Sequence, residues 1–467
     1  MQGLMTRGFR ACGSIVASLA LPGAAMACSP GSVRGLFEYD GQTQIILDVE
    51  AAMARAQARH GVIPQEAADD ISSKARVELV PEEAFDAQYD IVQHRMVALL
   101  KVWREALDPM GDQYVHYGAT TVDIYGTATM LQVDRAIGTL DSCLAGNIAA
   151  MTQLAQDHSQ TPMIGRTLGQ HAQPITFGKK VSSWIGEYAR HRQRLAELRA
   201  RVRRSAILKG AVGNYSGLGD KAIAVEASFA AELGFDPPYA ADWNGTRDVL
   251  AEYGLVLGLI ARSHERIGQE VFLLMGTDIG EVSEGQDEGV VGSSSMPHKR
   301  NPQVPERLIH AGRTIPRLAE VLGDDVVNFF ERDNTSRPAR VVEEISIESV
   351  STARALTGLL AGLEVDSAQM LENIQKTRGF ALSQRIAFAL ADHMPRVDAE
   401  ALVKEVIEAA YTNDVPFIDA LLADPRVTRH LDAGALEGLI DPANIATPAI
   451  EQVRRVIAET GETGAEQ

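Results

Sequence analysis

Residues 292–302 read Gly292-Ser-Ser-Ser-Met-Pro-His-Lys-Arg-Asn-Pro302. The stretch opens on small flexible residues and three hydroxyls, then sets Lys299 and Asn301 two positions apart. A serine acts as a base only when its hydroxyl pKa is strongly depressed, and backbone N–H groups of a closed loop can stabilise the resulting alkoxide. That makes Ser293 the candidate base. Lys299 and Asn301 suit a carboxylate, the first through charge and the second through hydrogen bonds. Taken alone, a Ser/Gly loop with one lysine is more often a solvated linker, so its surroundings decide the reading.

Immediately upstream, residues 280–292 are rich in Gly, Ser and acidic groups and show almost no periodicity. Such a segment is a surface excursion or a mobile lid. On either side the chain has helical spacing nearly everywhere. Ile45, Ile46, Val49, Ala52, Met53 and Ala56 predict a helix from about Thr43 to His60, stopped by Gly61, and another runs from about Asp90 to Ala106. Long helices follow, from about Thr120 to His158, Thr176 to Arg204 and Arg247 to Gly276, with a fourth from Pro338 towards Leu363. A helix of about 30 residues is about 45 Å long, more than one compact domain needs. Several together predict an extended bundle whose apolar stripes also meet other subunits. No repeat of the length a monomeric α-solenoid requires is present.

The expected fold is therefore all-α, in three helical domains. Residues 29–118 form the first, 119–364 a central long-helix bundle carrying the Ser-rich loop, and 365–467 the third. A Gly-rich break, Gly210 to Gly219, separates the second and third long helices.

The 467 residues carry 44 Lys and Arg against 62 Asp and Glu, a net charge of −18. Phosphate backbones need a basic surface, so nucleic acid is not expected as a partner. A small anion remains possible, because a few local cations build an anion site within an acidic shell. At 45% apolar and 23% charged residues, the chain has the balance of a soluble globular protein. Its most apolar long stretch, Val249 to Met275, is interrupted by Glu252, Arg262, Glu265, Arg266 and Glu270. No membrane span is expected.

Three cysteines, Cys12, Cys28 and Cys143, cannot make a disulfide framework for so large a chain, and the body holds only Cys143. That suits a reducing, cytoplasmic setting, although a disulfide-free periplasmic protein would look the same. Residues 1–28 stand apart. Arg7 and Arg10 precede an apolar run from Cys12 to Ala27, which ends in the small-x-small triplet Ala25-Met26-Ala27. This is either an export leader over residues 1–27 or an over-extended start with translation from about Met26.

The string at 292–302 resembles the signature of the fumarase/aspartase superfamily, G-S-S-x-M-P-x-K-x-N-P, with every fixed position met. Its M-P-H-K-R-N-P wording is similar to the branch holding adenylosuccinate lyase and 3-carboxy-cis,cis-muconate cycloisomerase. The resemblance implies an all-α homotetramer with active sites built from three subunits. It also implies anti elimination or addition across a C–C bond that bears a carboxylate. By the same resemblance Ser293 removes the Cβ proton, and Lys299 and Asn301 bind the substrate carboxylate.

Other segments are similar to the same family. His116-Tyr-Gly-Ala-Thr-Thr-Val-Asp123 resembles H-x-G-x-T-S-x-D, with Thr121 in place of Ser. There Thr120 and Thr121 would hold a carboxylate at a helix N-terminus, where the dipole favours anions. A Thr-Thr-x-Asp is by itself simply an N-cap. Gly165 to Pro174 resembles the next region, with Thr167 and Gln170 as substrate ligands. Adenylosuccinate lyase and fumarase have a catalytic His after that Thr and a Glu partner beyond the signature; here Glu306 is kept but Leu168 replaces the His. The cycloisomerase branch also lacks it, and Arg166 to Gly178 is close to that branch's wording. His171 becomes the candidate acid of the segment, alone or with Glu306, or else a structural histidine. His94 lies where adenylosuccinate lyase has a substrate-facing His, and Arg332 matches an E-R-D motif that could pair with a distal carboxylate or phosphate.

The phosphate-gripping Arg-Tyr pair of adenylosuccinate lyase is not evident near Leu36 to Asp40, whereas Gly210 to Tyr215 looks more like that lyase. The resemblance therefore implies a cycloisomerase-like enzyme acting on a small di- or tricarboxylate. The alternatives are a C–N lyase releasing fumarate or a catalytically retired structural relative. No cofactor or metal is expected, because no metal-spaced His/Cys cluster and no phosphate-binding Gly loop is present.

Overall fold

The computed structural model describes residues 28–465 except 242, 286–294, 297, 334, 336, 337, 445 and 446. Ser293 and the possible leader, 1–27, thus lie outside the described residues. Nineteen α-helices and four short strands are seen among the described residues, and the all-α expectation holds. The first part of the chain is a set of shorter helices: α1 (Pro30–Gly35), α2 (Tyr39–Arg59), α3 (Gln65–Ser73), α4 (Glu82–Val92), α5 (Arg95–Arg104) and α6 (Pro109–Tyr114). Then α7 (Thr121–Asp157) leads into an antiparallel hairpin of β1 (Pro162–Thr167) and β2 (Gln170–Thr176), followed by α8 (Phe177–Val202). Next come α9 (Ala222–Glu232), α10 (Asp248–Leu274), β3 (Val282–Glu284), α11 (Gln303–Asp324) and α12 (Pro338–Ala361), with β4 (Leu363–Val365) pairing back onto β3. The chain closes with α13 (Ser367–Gln375), α14 (Ser383–Ala391), α15 (Arg396–Asn413), α16 (Phe417–Ala423), α17 (Pro425–Thr428), α18 (Ala433–Ile440) and α19 (Thr447–Ala465).

All four long helices stand within two residues of their expected limits. The single helix expected over 90–106 is in fact α4 and α5. Gln93 takes a left-handed φ of 52° between them, and the His94 ring accepts the Val97 N–H at the start of α5. A helix cannot run through a left-handed residue.

Three apolar cores organise the molecule. The largest lies among α7, α8, α10, α11 and α12, with Trp184, Tyr188 and Tyr253 fully enclosed. A second joins α2 to α6 with the start of α7 and residues 206–235, and a third holds α14 to α18 together. Helices α10 and α11 cross at very short range: a Cβ on Gly268 would meet Leu308 at 2.9 Å, and one on Gly312 would meet Glu265 at 2.3 Å. Only glycine fits there.

The cysteine expectation needs correcting. Cys28 is bonded to Cys143 through a disulfide spanning 115 residues of sequence, with the Cα atoms 4.9 Å apart. Chain order hid the pair: α1 lies against α12 and α7, so the residue just before it reaches the middle of α7. No helix among the described residues is long and apolar enough to cross a membrane.

Candidate functional site

The five long helices share two ends, and the candidate residues divide between them. At the first end lies a cavity of about 460 Å³. Its walls come from the first turns of α7 (Val122, Tyr125) and α12 (Pro338, Ala339), from Asn244 and Arg247 just before α10, and from Ser205 just past α8. Arg247 also donates to the Asp325 carbonyl at the end of α11 at 3.3 Å. Among the described residues three arginines face this space, Arg95, Arg247 and Arg332. Asp333 supplies one opposing charge, 3.8 Å from Arg247. The surplus of positive charge suits an anion.

The cavity owes its shape to how α7 begins. Thr120 is the N-cap, and the Asp123 carboxylate accepts its backbone N–H at 3.2 Å. Asp123 also accepts from the N–H groups of Gly210 (2.8 Å) and Lys209 (3.4 Å) and from the Trp243 indole (3.4 Å). One buried carboxylate thus gathers three segments. Burial pushes its pKa up, against the hydrogen bonds that favour its charge. The plain capping role of the Thr-Thr-x-Asp segment is therefore real, and Thr120 and Thr121 stay half-buried at the positive end of a 37-residue helix dipole. Burial also raises Tyr125, to about 12, so its phenol stays protonated as a donor.

His94 and His116 belong to this end but differ. His94 is exposed beside Arg95. His116 takes a left-handed φ of 63°, and its Nδ1 pairs with Glu50 Oε1 at 2.6 Å. Burial lowers its pKa, but the Glu50 charge and hydrogen bond outweigh this, so the net direction is up.

At the second end sit the hairpin, β3 and β4, and the start of α11. Thr167 and Gln170 flank a two-residue turn, Leu168-Gly169, with φ of 53° and 76°. Both positive values match the turn that follows the twist of paired strands. Thr167, Leu168, Gln170 and His171 all project into solvent. Arg166 fixes the hairpin through two bonds to the fully buried Glu281, 2.9 and 2.7 Å long, and Asn373 braces the same carboxylate at 2.8 Å. Desolvation, then the Arg166 charge, holds the His171 pKa below the usual imidazole range.

The signature arrives beside it. Arg300 lies 3.7 Å from Glu364 of β4, and Glu284 accepts the Val304 N–H at the start of α11 at 3.2 Å. Lys299 and Glu306 are exposed and Asn301 half-buried here.

The structure therefore groups His94, His116, Thr120, Thr121 and Arg332 at one end, and Thr167, Gln170, His171, Lys299, Asn301 and Glu306 at the other. The 27 residues of α10 run between the two ends, which puts them about 40 Å apart in one chain. Sequence reading missed Arg95, Arg247, Tyr125 and Asn244, which converge from separate segments with no common spacing. It also missed Glu284, whose pKa burial raises and which the nearby Glu306 charge raises further.

A model described as Lyase matches residues 32–316, and one described as Adenylosuccinate lyase C-terminus matches residues 379–456. The chain belongs to the fumarase/aspartase superfamily of lyases. This lyase is 36% identical to a 3-carboxy-cis,cis-muconate cycloisomerase of Pseudomonas aeruginosa, over 91% of this chain and 94% of the relative. It is 34% identical to an N-acetyl-S-(2-succino)cysteine lyase of Dickeya dadantii, over 92% and 95%. The crystal structure of the 3-carboxy-cis,cis-muconate lactonizing enzyme from Pseudomonas putida matches with a TM-score of 0.85 at 32% identity, covering 94% of this chain and 99% of that one.

Proposed function

We propose that this lyase interconverts 3-carboxy-cis,cis-muconate, or a near tricarboxylate, with its lactone. In the closing direction a carboxylate oxygen of the substrate adds to one carbon of a C=C bond, and the neighbouring carbon takes a proton from the Ser293 hydroxyl. In the opening direction the Ser293 alkoxide removes that proton and the carboxylate leaves. The charge that builds next to a second carboxylate rests on Lys299 and Asn301, with Thr120 and Thr121 at the positive helix end as further donors. Thr167 and Gln170 orient the bound anion, while Arg332 meets its far carboxylate.

One observation carries the choice of reaction. The turn of the hairpin presents Leu168, fully exposed, where adenylosuccinate lyase and fumarase have an acid imidazole. Expelling an amine or hydroxide needs general-acid help worth about 10² to 10⁴ in rate. A carboxylate leaves without it, and His171, with its lowered pKa, is a neutral donor near pH 7. Burial and the nearby Glu306 charge raise the pKa of Glu284, which makes Glu284 a further proton carrier at this end.

A second reading follows from the succinocysteine lyase relative. A thiolate, whose conjugate acid has a pKa of about 8.5, also leaves without strong acid, so a succinyl thioether is the next candidate. An amine substrate such as adenylosuccinate ranks below both.

The 40 Å separation supports a homotetramer in which one copy's hairpin and signature meet another copy's cavity. Leu255 and Leu259 on α10 and Val321 on α11 remain exposed apolar groups along the bundle, a surface that another copy would cover.

The test is a parallel assay of the carboxymuconate, an S-succinyl thiol, adenylosuccinate and argininosuccinate. The muconate should give the highest kcat/KM. Adenylosuccinate turned over a hundred-fold more efficiently would overturn the proposal.

A further inference from the structure

Two observations made independently meet at one peptide bond, Ala27–Cys28. In the sequence, the run Cys12 to Ala27, preceded by Arg7 and Arg10, ends in Ala25-Met26-Ala27, the small-x-small pattern at which export leaders are cut. In the fold, the next residue is already part of the folded body. Cys28 is disulfide-bonded to Cys143, and Val33 of the helix that follows is wholly enclosed in the central core beside α12. Cys143 is itself fully buried in α7. The residue that the leader pattern would leave first is therefore itself tied into the folded body.

We propose that this lyase is exported, that water hydrolyses the Ala27–Cys28 bond during export, and that the mature chain starts at a half-cystine. The Cys28 and Cys143 thiols lose two electrons and two protons to a disulfide-carrying oxidant, which becomes a dithiol while the S–S bond forms. Reducing cytosol opposes that step and oxidising compartments favour it. Cysteine usage agrees. Cys12, the one other cysteine of the sequence, falls on the removed side, so the mature protein keeps two cysteines and both are in the bond. No spare thiol is left to mispair. The inference does not depend on which carboxylate the enzyme takes, but it puts the reaction outside the cytosol.

A cysteine directly after a leader has another known chemistry, thioether lipidation of its sulfur. Here that sulfur is already engaged with Cys143, and position 25 is Ala, not a larger aliphatic residue. The two modifications exclude each other, which makes the test sharp.

The full chain, with a C-terminal affinity tag, is expressed in a bacterium that has a periplasm, then fractionated. N-terminal sequencing, intact mass and peptide maps with and without reductant are read on the purified protein. The expected result is a periplasmic chain of residues 28–467 starting at Cys28, two hydrogens lighter than the dithiol, with a linked Cys28–Cys143 peptide. Ala25→Asp with Ala27→Asp should leave the precursor uncut. Cys28→Ser should still be exported and processed, with a lower Tm and a Cys143 thiol that alkylates only after unfolding. A cytosolic chain with its thiols free, three when it starts at Met1 or two when it starts at Met26, would overturn the proposal, and so would a lipid on Cys28.

Discussion

The two ends of the helix bundle handle polar side chains in opposite ways. At the cavity end the walls are settled within the chain, with arginine charge left over to face the space: Asp123 collects four donors, His116 holds Glu50, and Arg247 touches Asp333. At the hairpin end only the foundations are settled, through Arg166 and Glu281, while Thr167, Gln170, His171 and Lys299 point into solvent. The first end is a receptacle. The second is a rigidly braced projection, and a projection of polar groups does chemistry only when something receives it. Under the proposed assembly, the receiver is the cavity of another copy.

The sharpest way to break that comparison is to damage each end in a different molecule. Ser293→Ala should reduce turnover by about 10³-fold or more with an unchanged helical spectrum and Tm, because it removes the proposed base from a Gly/Ser-rich stretch of sequence that carries no core pattern. A loss of only two- or three-fold would remove Ser293 from that role. Thr120→Ala with Arg332→Ala, at the opposite end, should also be inactive. Unfolding and refolding the two inactive proteins together should restore activity, since mixed tetramers contain sites with both ends intact. If the mixture stays as dead as its parts, each site lies within one chain and the assembly proposed here is wrong.

How much of this was legible in the sequence differs by region, for physical reasons. The long helices were readable because their apolar positions repeat over many turns, and α7, α8, α10 and α12 start and stop within two residues of expectation. Helix α11 was not anticipated, because Pro305 and Pro316 interrupt what would read as its pattern. Pro316 is tolerated inside the helix, where α10 packs against it. The hairpin was recognised as a functional segment but not as strands. Its turn is Leu-Gly, without the Asn or Asp that signals such a bend, and a bulge between Ile164 and Arg166 breaks the alternation. The candidate residues with motif wording were found; Arg95, Arg247 and Glu284 were not, since folding alone brings them there. The disulfide was hidden for the same reason, its halves being 115 residues apart.

A smaller effect sharpens the cavity end. Arg332→Ala alone removes one of three arginines facing the space. A charged hydrogen bond contributes about 1.5–3 kcal/mol, so KM should rise roughly 10- to 100-fold while kcat falls much less. Steady-state kinetics on the preferred substrate separates the two. An unchanged KM with a collapsed kcat would mean that Arg332 acts on the reacting atoms and not on the far carboxylate.

The smallest expected effect concerns stability and tests whether the cavity end really settles its charges internally. The folded pKa of His116 lies above its unfolded value of about 6.5. The pair with Glu50 therefore stabilises the fold fully below that value and loses its contribution as pH rises through the raised folded pKa. Other histidines act in the opposite sense: burial pushes His191 down to about 4 and His264 to about 3, so they cost stability as pH falls below about 6.5. The bare pH dependence of Tm mixes both, and the comparison must be between variants. Glu50→Gln removes the charge and leaves the other histidines alone. At pH 6 it should melt lower than the parent by about one to a few degrees. By pH 9 the gap should close, since Glu50 then stands beside a neutral imidazole with its second oxygen buried and without a hydrogen-bond partner among the described residues, a position where an uncharged amide costs less. A gap that stays constant with pH would mean that His116 does not titrate against Glu50, and that its imidazole is available to the cavity after all.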